Sequence, residues 1–565
     1  MSARISEALA LWDNPVLQRF RRSRLRLRKS IFWYLLTLIV TTFVVSLTYI
    51  LRTNVGTSGQ DAARSLWIPL LIIQGLILMI KGTGSVSAGL IQDRIDGTLD
   101  YQRLTPVAPL RNLVGYLFGL PVLEYVMFAL TLPHTVFIVI VGQIPPLTVL
   151  TVYATFLTCA VLYHMIGIAS GMVMRRWIWG YLLSIFLVVF VNVVLPTAIA
   201  QLGLRVLQYL SMWPVIAQKV LPLIVTPGAM AQASQNLPFF SMADSVPFYV
   251  WSLSPLTFTL LLQGALIVTF AVMTLRRWAS STRHSLSKPY ALAFLCGFIV
   301  LVIGNVWPIV TGRYMPFALF GQTSIDQLRE VIPIALPLVY CLAVWLLCFV
   351  LFAIVVPSHD AYVRGIRRAI KLGRNAARPW DDDSGSVGFM SLFTAAALLG
   401  LWVVFHQIES AGFLAPFRDA GFGMWRLPAA FGLVLVYTTL LLQVLELRPT
   451  ILAVLLLWFL PVLVATVLSA ASQDAGSLHA VIASMSPIAL VVMSGLMPIE
   501  AMTAGSEAGF FSSLAIGVTT GLVFVLVQIV ALWARWRRLE AGYDRSCRSP
   551  SAAGPAAPDL VLEHV

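Results

Sequence analysis

Uninterrupted apolar runs of twenty or more residues recur along the whole chain, and they constrain its fold more than any other feature. Each run is long enough to cross about 30 Å of hydrocarbon as a helix. Only 11% of the residues are charged, against about a quarter in a soluble domain. Because helices satisfy their own backbone polar groups in lipid, the sequence predicts an all-α polytopic membrane protein.

We expect about twelve transmembrane helices, separated by the polar and basic segments of the chain. The predicted spans are 31–51, 66–81, 112–141, 147–173, 178–200, 247–275, 289–311, 331–356, 389–406, 427–446, 451–470 and 509–534. Two further apolar stretches, 203–225 and 481–500, are interrupted by prolines. Backbone that enters the membrane and returns needs such interruptions, so both are predicted to be re-entrant or interfacial elements on the outer face.

The net charge of +14 is explained by topology, because most of the 38 Lys and Arg fall in segments that would share one membrane face. The positive-inside rule then places both termini in the cytoplasm. The basic segments are predicted to contact anionic membrane lipids, and no nucleic acid is expected as a partner. The Ala/Pro/Ser-rich end of the chain, 541–565, is predicted to be a disordered inner tail.

The predicted spans repeat as two six-helix halves, residues 1–280 and 281–540. Each half would hold five spans, an outer re-entrant element and a sixth span. The halves share this order without visible sequence identity. Internal topological repeats are typical of transporters.

A polar segment of about thirty residues separates the second and third predicted spans. Between residues 87 and 106 the apolar positions recur at helical spacing, with charged residues between them. The apolar positions are Leu90, Ile91, Ile95, Leu99 and Leu104. Gly97 and Thr98 break the pattern, and Pro106 ends it. The pattern predicts a short, interrupted amphipathic helix, and its acids favour a protein partner over anionic lipid.

Two stretches resemble the membrane-spanning permeases of ATP-binding-cassette type-2 exporters. "DRIDGTLDYQRLTP" is similar to the family's R-x-x-G-T-L-E…(T/S)-P segment, and "NPVLQRFRRSRLR" is similar to its N-terminal lead. In that family the first is the coupling helix that docks into the ATPase, and the second is an amphipathic helix along the membrane surface. The resemblance assigns coupling to Asp93, Arg94, Asp96, Gly97, Thr98, Leu99, Asp100, Thr105 and Pro106.

The resemblance implies a partner and a location. The partner would be a separate ABC-type ATPase subunit, present as two identical copies or as a pair of different subunits. The location would be the cell membrane, namely a bacterial inner membrane. This chain contains no G-x-x-x-x-G-K-(S/T) loop, so ATP hydrolysis is expected on the partner and no enzyme activity here. Asp93 and Asp100 stand at positions where glutamate is commoner in that family. The inner segment of the second half lacks the motif, which indicates a degenerate half.

Glu124 lies inside the third apolar run. Ionisable residues inside a membrane are rare and usually functional, so Glu124 is a candidate functional residue. If that span begins only near Leu120, Glu124 lies at its inner boundary instead. The alternative function is a secondary transporter with twelve spans, driven by an ion gradient, but that class needs several ionisable residues in mid-span. His164 is better explained as a hydrogen-bonded interhelical residue, and the acids 381–383 as a solvated run. No metal or cofactor site is predicted.

Overall fold

The computed structural model describes most of the chain. The described residues are 13–105, 107–174, 176–199, 205–225, 245–280, 284–311, 325–357, 359–372, 378, 380–384, 387–412, 426–444, 458–468, 481–504 and 507–548. The helices in chain order are α1 (Pro15–Arg24), α2 (Leu27–Asn54), α3 (Gly59–Ser65), α4 (Trp67–Gly75), α5 (Gly82–Ile95), α6 (Thr98–Leu104), α7 (Pro109–Gly119), α8 (Val122–Val141), α9 (Pro146–Val173), α10 (Trp177–Val189), α11 (Trp213–Lys219), α12 (Leu221–Ile224), α13 (Pro255–Ala279), α14 (Lys288–Val310), α15 (Ile325–Val355), α16 (His359–Lys371), α17 (Val387–Ser410), α18 (Arg426–Val444), α19 (Pro487–Ala504) and α20 (Glu507–Arg548).

Ten of the described helical segments are long and apolar enough to cross a membrane, which supports a polytopic membrane protein. They are Ser30–Asn54, Gly59–Ile95, Val122–Val141, Pro146–Val173, Trp177–Leu195, Pro255–Ala279, Lys288–Val310, Pro333–Val355, Gly388–Ser410 and Ala515–Ala534. The predicted spans 427–446 and 451–470 correspond to the shorter apolar helices Arg426–Leu442 and Trp458–Leu468 within the described residues. Twelve spans therefore remain a prediction.

The chain separates into two compact units. The first holds Met1–Leu286, Gly297–Val339 and Val403–Phe413, and the second holds the remaining residues. The two-half organisation with boundaries at 280 and 540 stays a prediction.

The second helical segment is longer than predicted. The chain is helical without a break from Trp67 to Ile95, because a π-helical turn, Leu76–Lys81, joins α4 to α5. The predicted helix start near 87 is wrong, since α5 begins at Gly82 and continues the helix that starts at Trp67. The position of the segment 87–106 at the membrane surface stays a prediction. Only α6, after Gly97, is a separate short helix.

The third predicted span is divided in two. α7 ends at Gly119, and α8 begins at Val122, after Pro121. The spanning helix thus starts later than the predicted position 112, and Glu124 lies in its first turn.

The stretch 203–225 contains only short helices in its described part, with a 3₁₀ turn at Arg205–Leu210 followed by α11 and α12. In the other predicted re-entrant stretch, α19 is a helix of 18 residues that begins at Pro487. The membrane depth of both stretches stays a prediction.

A β-hairpin precedes the sixth predicted span, which starts at Pro255 and not at 247. Its strands, β1 (Val246–Phe248) and β2 (Trp251–Leu253), pair antiparallel. The Tyr249 N–H donates to the Gly304 carbonyl of α14 at 3.0 Å. That carbonyl would normally accept from residue 308, but Pro308 has no N–H. The hairpin therefore supplies the donor that the proline removes.

Candidate functional site

The N-terminal helix α1 packs closely against α7, because two glycines of α7 leave room for side chains of α1. Val16 and Phe20 are buried. A Cβ on Gly115 would lie 2.7 Å from the Val16 Cβ, and one on Gly119 would lie 2.8 Å from the Phe20 ring. Neither glycine could carry a side chain without moving α1. The apolar side of α1 is therefore covered by protein.

Asn14, the first residue of the N-P lead, fixes the start of α1. Its Oδ1 accepts from the Val16 N–H at 3.0 Å and from the Leu17 N–H at 3.3 Å, as an N-cap does. Its Nδ2 donates to the Arg111 carbonyl at 2.7 Å. One side chain thus caps α1 and ties it to α7. Pro15 follows at the first helical position, where its missing N–H costs nothing.

Asp93 connects three helices. Its carboxylate forms a salt bridge with Arg19 of α1 and accepts a hydrogen bond of 2.6 Å from the Tyr116 hydroxyl of α7. Burial, and then the Asp93 charge, raise the pKa of Tyr116 above its usual value, so the hydroxyl stays protonated and donates. Tyr116 also packs edge-on against Phe20 and Trp278. The Asp93 carboxylate therefore holds the lead in place and is not free for an outside partner.

Arg94 closes the end of α9. Its guanidinium donates to the Met172 carbonyl at 2.7 Å and to the Met174 carbonyl. Cationic side chains stabilise helix C-termini, where carbonyls lack intrahelical donors. Arg94 thus has a helix-fixing role.

Gly97 turns the chain between α5 and α6. Its φ is +72°, in the left-handed region that favours glycine. Asp96 lies at the end of α5 and accepts from Gln92 Nε2 at 2.9 Å. Thr98 is the first residue of α6, and Leu99 is buried. The predicted break at Gly97-Thr98 is present.

α6 is held by contacts at its C-terminal end. Arg103 pairs with Asp100 and donates to the Arg277 carbonyl at 3.2 Å. The Thr105 hydroxyl donates to the Gln102 carbonyl at 2.7 Å. Pro106, also predicted to take part in coupling, lies outside the described residues.

Five residues on either side of this turn are exposed, and we call this set the acidic-apolar surface. They are Ile95, Asp96, Asp100, Tyr101 and Leu104. Leu104 is 85% exposed, Tyr101 69% and Ile95 59%. The predicted single apolar side is wrong in this respect, because Leu90, Ile91 and Leu99 are buried while Ile95 and Leu104 are exposed. The left-handed turn redirects the helix, so one periodicity does not run through it.

Glu124 is buried and forms an ion pair near the π-helical turn. Its Oε1 accepts from Lys81 Nζ at 2.6 Å and from Ser85 Oγ at 2.9 Å. The Lys81 ammonium also lies 4.7 Å from the centre of the Trp33 ring, within cation–π range. Glu124 Oε2 is buried and has no hydrogen-bond partner among the described residues. The pair joins α2, α5 and α8.

His164 fixes the same π-helical turn from α9. Its Nε2 lies 2.9 Å from the Leu78 carbonyl and must donate to it. Its Nδ1 lies 3.2 Å from the Tyr125 hydroxyl, which donates to it when the imidazole is neutral. His164 is thus an interhelical hydrogen-bonded residue, as predicted.

Sequence reasoning missed Lys81, Arg19 and Tyr116, the partners that these carboxylates require. In the sequence, Lys81 looks like the end of an apolar run. The only available signal was Glu124 itself, since a buried acid requires a partner. Within the part of the chain that the structure describes, no group of three or more His, Cys, Asp or Glu could hold a metal ion.

Comparisons of the chain with protein-family models, with curated proteins and with solved structures gave no significant match.

Proposed function

We propose that this chain is the membrane-spanning permease subunit of an ATP-driven exporter, coupled to a separate ATPase subunit. The observation that carries the proposal is the acidic-apolar surface at the end of the helix that runs from Trp67 to Ile95. Exposed Ile95, Tyr101 and Leu104 beside two acids suit a protein groove with basic residues at its edge. A lipid surface suits it less, because anionic headgroups repel carboxylates.

The helix that ends at this surface has the form that a lever between the ATPase and the membrane requires. It is helical without a break from Trp67 to Ile95, so movement at its end is passed into the membrane. ATP binding would favour one arrangement of the partner, and the lever would bias the permease toward the matching arrangement. The π-helical turn, held by His164 and Lys81, is the place where this helix departs from α-helical geometry.

The contacts of Asp93 and Arg94 indicate which elements would move together. Asp93 ties α5 to α1 and α7, and Arg94 ties it to the end of α9. A displacement of α5 would therefore shift the N-terminal lead with it. This supports a role for the lead in coupling.

The ion pair of Lys81 with Glu124 favours a second candidate, the gradient-driven secondary transporter. Intramembrane ionisable groups are commonly functional. However, each of these charges has the other as its partner at 2.6 Å, so a structural role accounts for the pair. Transport by the chain alone in vesicles with an imposed proton or sodium gradient would support this candidate.

The test of the proposal is Asp96→Lys combined with Asp100→Lys. Both side chains are exposed, so the chain should fold and insert normally. The double variant should lose the P-loop ATPase that copurifies with the wild-type chain from its native membrane, identified by mass spectrometry. A charged contact that loses one partner at an interface costs about 2–5 kcal/mol, which is enough to dissociate a micromolar complex.

Asp61→Lys is the control, because Asp61 is exposed at the start of the same helical segment, in α3. It should leave ATPase recovery unchanged. Undiminished recovery with the double variant, together with intact ATP-driven transport, would contradict the assignment of this surface. ATP hydrolysis by the purified chain free of any partner would contradict the permease proposal itself.

A further inference from the structure

The second unit contains a basic helix at the membrane surface. α15 and α17 are consecutive candidate spans, and α15 ends at Val355 while α17 begins at Val387. Their joined ends lie at one membrane face, so α16 between them lies at that face. Trp380 packs edge-on against Phe389 in the first turn of α17, with ring centroids 5.3 Å apart. Tryptophan is enriched at headgroup depth, which places this segment at the lipid–water boundary.

One side of α16 is closed off by its own loop. Ala361, Gly365 and Ala369 are four residues apart and buried. A Cβ on Gly365 would overlap the Asp383 carbonyl oxygen, so only glycine at this position lets the loop pack this close to α16. The helix is thus pressed onto the 380–384 turn.

The acids 381–383, predicted as a solvated run, belong to that turn. Asp383 forms a salt bridge of 2.6 Å with Arg368. The next residue, Ser384, accepts from the buried Lys288 ammonium through its carbonyl at 3.0 Å and its Oγ at 2.5 Å. The acids are therefore partly used within the protein, and they offset the charge of Arg368.

The other side of α16 is cationic. Arg364, Arg367 and Lys371 are exposed and follow the i, i+3, i+7 spacing of one helix face. Among the described residues no salt bridge joins any of the three to an acid. Leu372 and Trp380, 60% and 50% exposed, lie in the same segment. We call Arg364, Arg367 and Lys371 the α16 basic face.

We propose that the α16 basic face binds the anionic headgroups of phospholipids in the adjacent leaflet. The three cations supply the charge that attracts phosphodiesters, and arginine can bind two phosphate oxygens at once. The exposed Leu372 and Trp380 side chains fit the boundary between headgroups and acyl chains. An acidic protein would match the charge but not these apolar side chains at headgroup depth. The inference is independent of the ATPase proposed for the first unit.

The test compares lipid binding by the full chain and by Arg364→Gln, Arg367→Gln, Lys371→Gln. Each protein is reconstituted in nanodiscs with equal amounts of phosphatidylglycerol and phosphatidylcholine of identical acyl chains. Retained lipids are counted by native mass spectrometry, and phosphatidylglycerol affinity is measured by titration in detergent. A basic side chain at an anionic surface contributes about 1 kcal/mol, roughly a fivefold change in affinity. The triple variant should therefore bind phosphatidylglycerol at this site at least tenfold more weakly.

The matched control keeps the charge: Arg364→Lys, Arg367→Lys, Lys371→Arg should retain the preference for phosphatidylglycerol. If the neutral triple variant does not insert, Arg367→Gln alone should weaken binding roughly fivefold. An unchanged preference in the neutral variant would overturn the proposal and leave this face to an acidic protein. Displacement of the bound lipid by excess inorganic phosphate would overturn it as well, in favour of a free-phosphate site.

Discussion

Arg19 and Asp93 form a salt bridge that joins the N-terminal lead to the end of α5, in the second candidate span. The two residues belong to the two sequence stretches that resemble exporter permeases. The lead and the candidate coupling segment are thus one assembly, with the Tyr116 hydroxyl as a third member. Exposure of the two side chains is 39% and 15%, so the pair is partly screened by solvent.

Asp93→Asn should loosen this assembly. It removes the charge that pairs with Arg19 and weakens the bond from Tyr116, at a cost of about 1–2 kcal/mol after allowance for exposure. The melting temperature in detergent should fall, and trypsin should cleave faster at the arginines of α1. Asp100→Asn is the control, because the Asp100 side chain is 72% exposed and should change stability little. Equal effects of the two substitutions would contradict a structural role for Asp93.

Gly97→Ala should destabilise the turn between α5 and α6. A Cβ there meets no atom within 4 Å, so the cost is confined to the backbone. Forcing alanine to φ +72° costs about 1–2 kcal/mol. Gly97→Asn should cost less, because asparagine tolerates the left-handed region better. Thermal unfolding of the two variants measures the difference, and an unchanged alanine variant would show that the turn does not require this conformation.

The long apolar helices and the turn at Gly97 could be predicted, because hydropathy and the conformational freedom of glycine are properties of the local sequence. The extent of α5 could not. Lys81 and the glycines after it end an apolar run, yet the helix continues through them, and the Lys81 charge is paired with Glu124 of α8. That contact joins residues 43 positions apart, and no local pattern contains it.

Two other differences have the same origin. A periodicity that runs through Gly97 combines two separate helices, and therefore places Leu104 on the buried side. Ile95 is the last residue of α5, and the helical period alone does not show that burial ends before it. The hairpin before α13 falls inside a predicted span because apolar composition does not distinguish a short strand from a helix. Its position depends on Tyr249 and the Gly304 carbonyl that Pro308 leaves free.

Labelling should test the predicted orientation. Leu104→Cys and Arg378→Cys place thiols at exposed positions of the two polar segments. With both segments in the cytoplasm, as predicted, a membrane-impermeant maleimide should label both from the cytoplasmic side of oriented vesicles and neither from outside. Val55→Cys, an exposed position at the opposite end of α2, should give the reverse result. Labelling of either of the first two introduced thiols from outside would contradict the orientation and the predicted number of intervening spans.

The last prediction concerns the unequal burial of Lys81 and Glu124. The Glu124 side chain is 1% exposed, whereas that of Lys81 is 25% exposed and reaches the Trp33 ring. Lys81→Met would leave a carboxylate buried without its counter-charge, and breaking a buried pair in this way costs about 3–5 kcal/mol. Glu124→Gln would leave an ammonium that can extend along its flexible stem toward the polar boundary, at a smaller cost. Lys81→Met should therefore lower the melting temperature more than Glu124→Gln. The double variant should be more stable than Lys81→Met alone, because it removes the unpaired charge. Melting curves of all four proteins in one detergent measure the coupling, and additive single effects would show that the two side chains do not act as a pair.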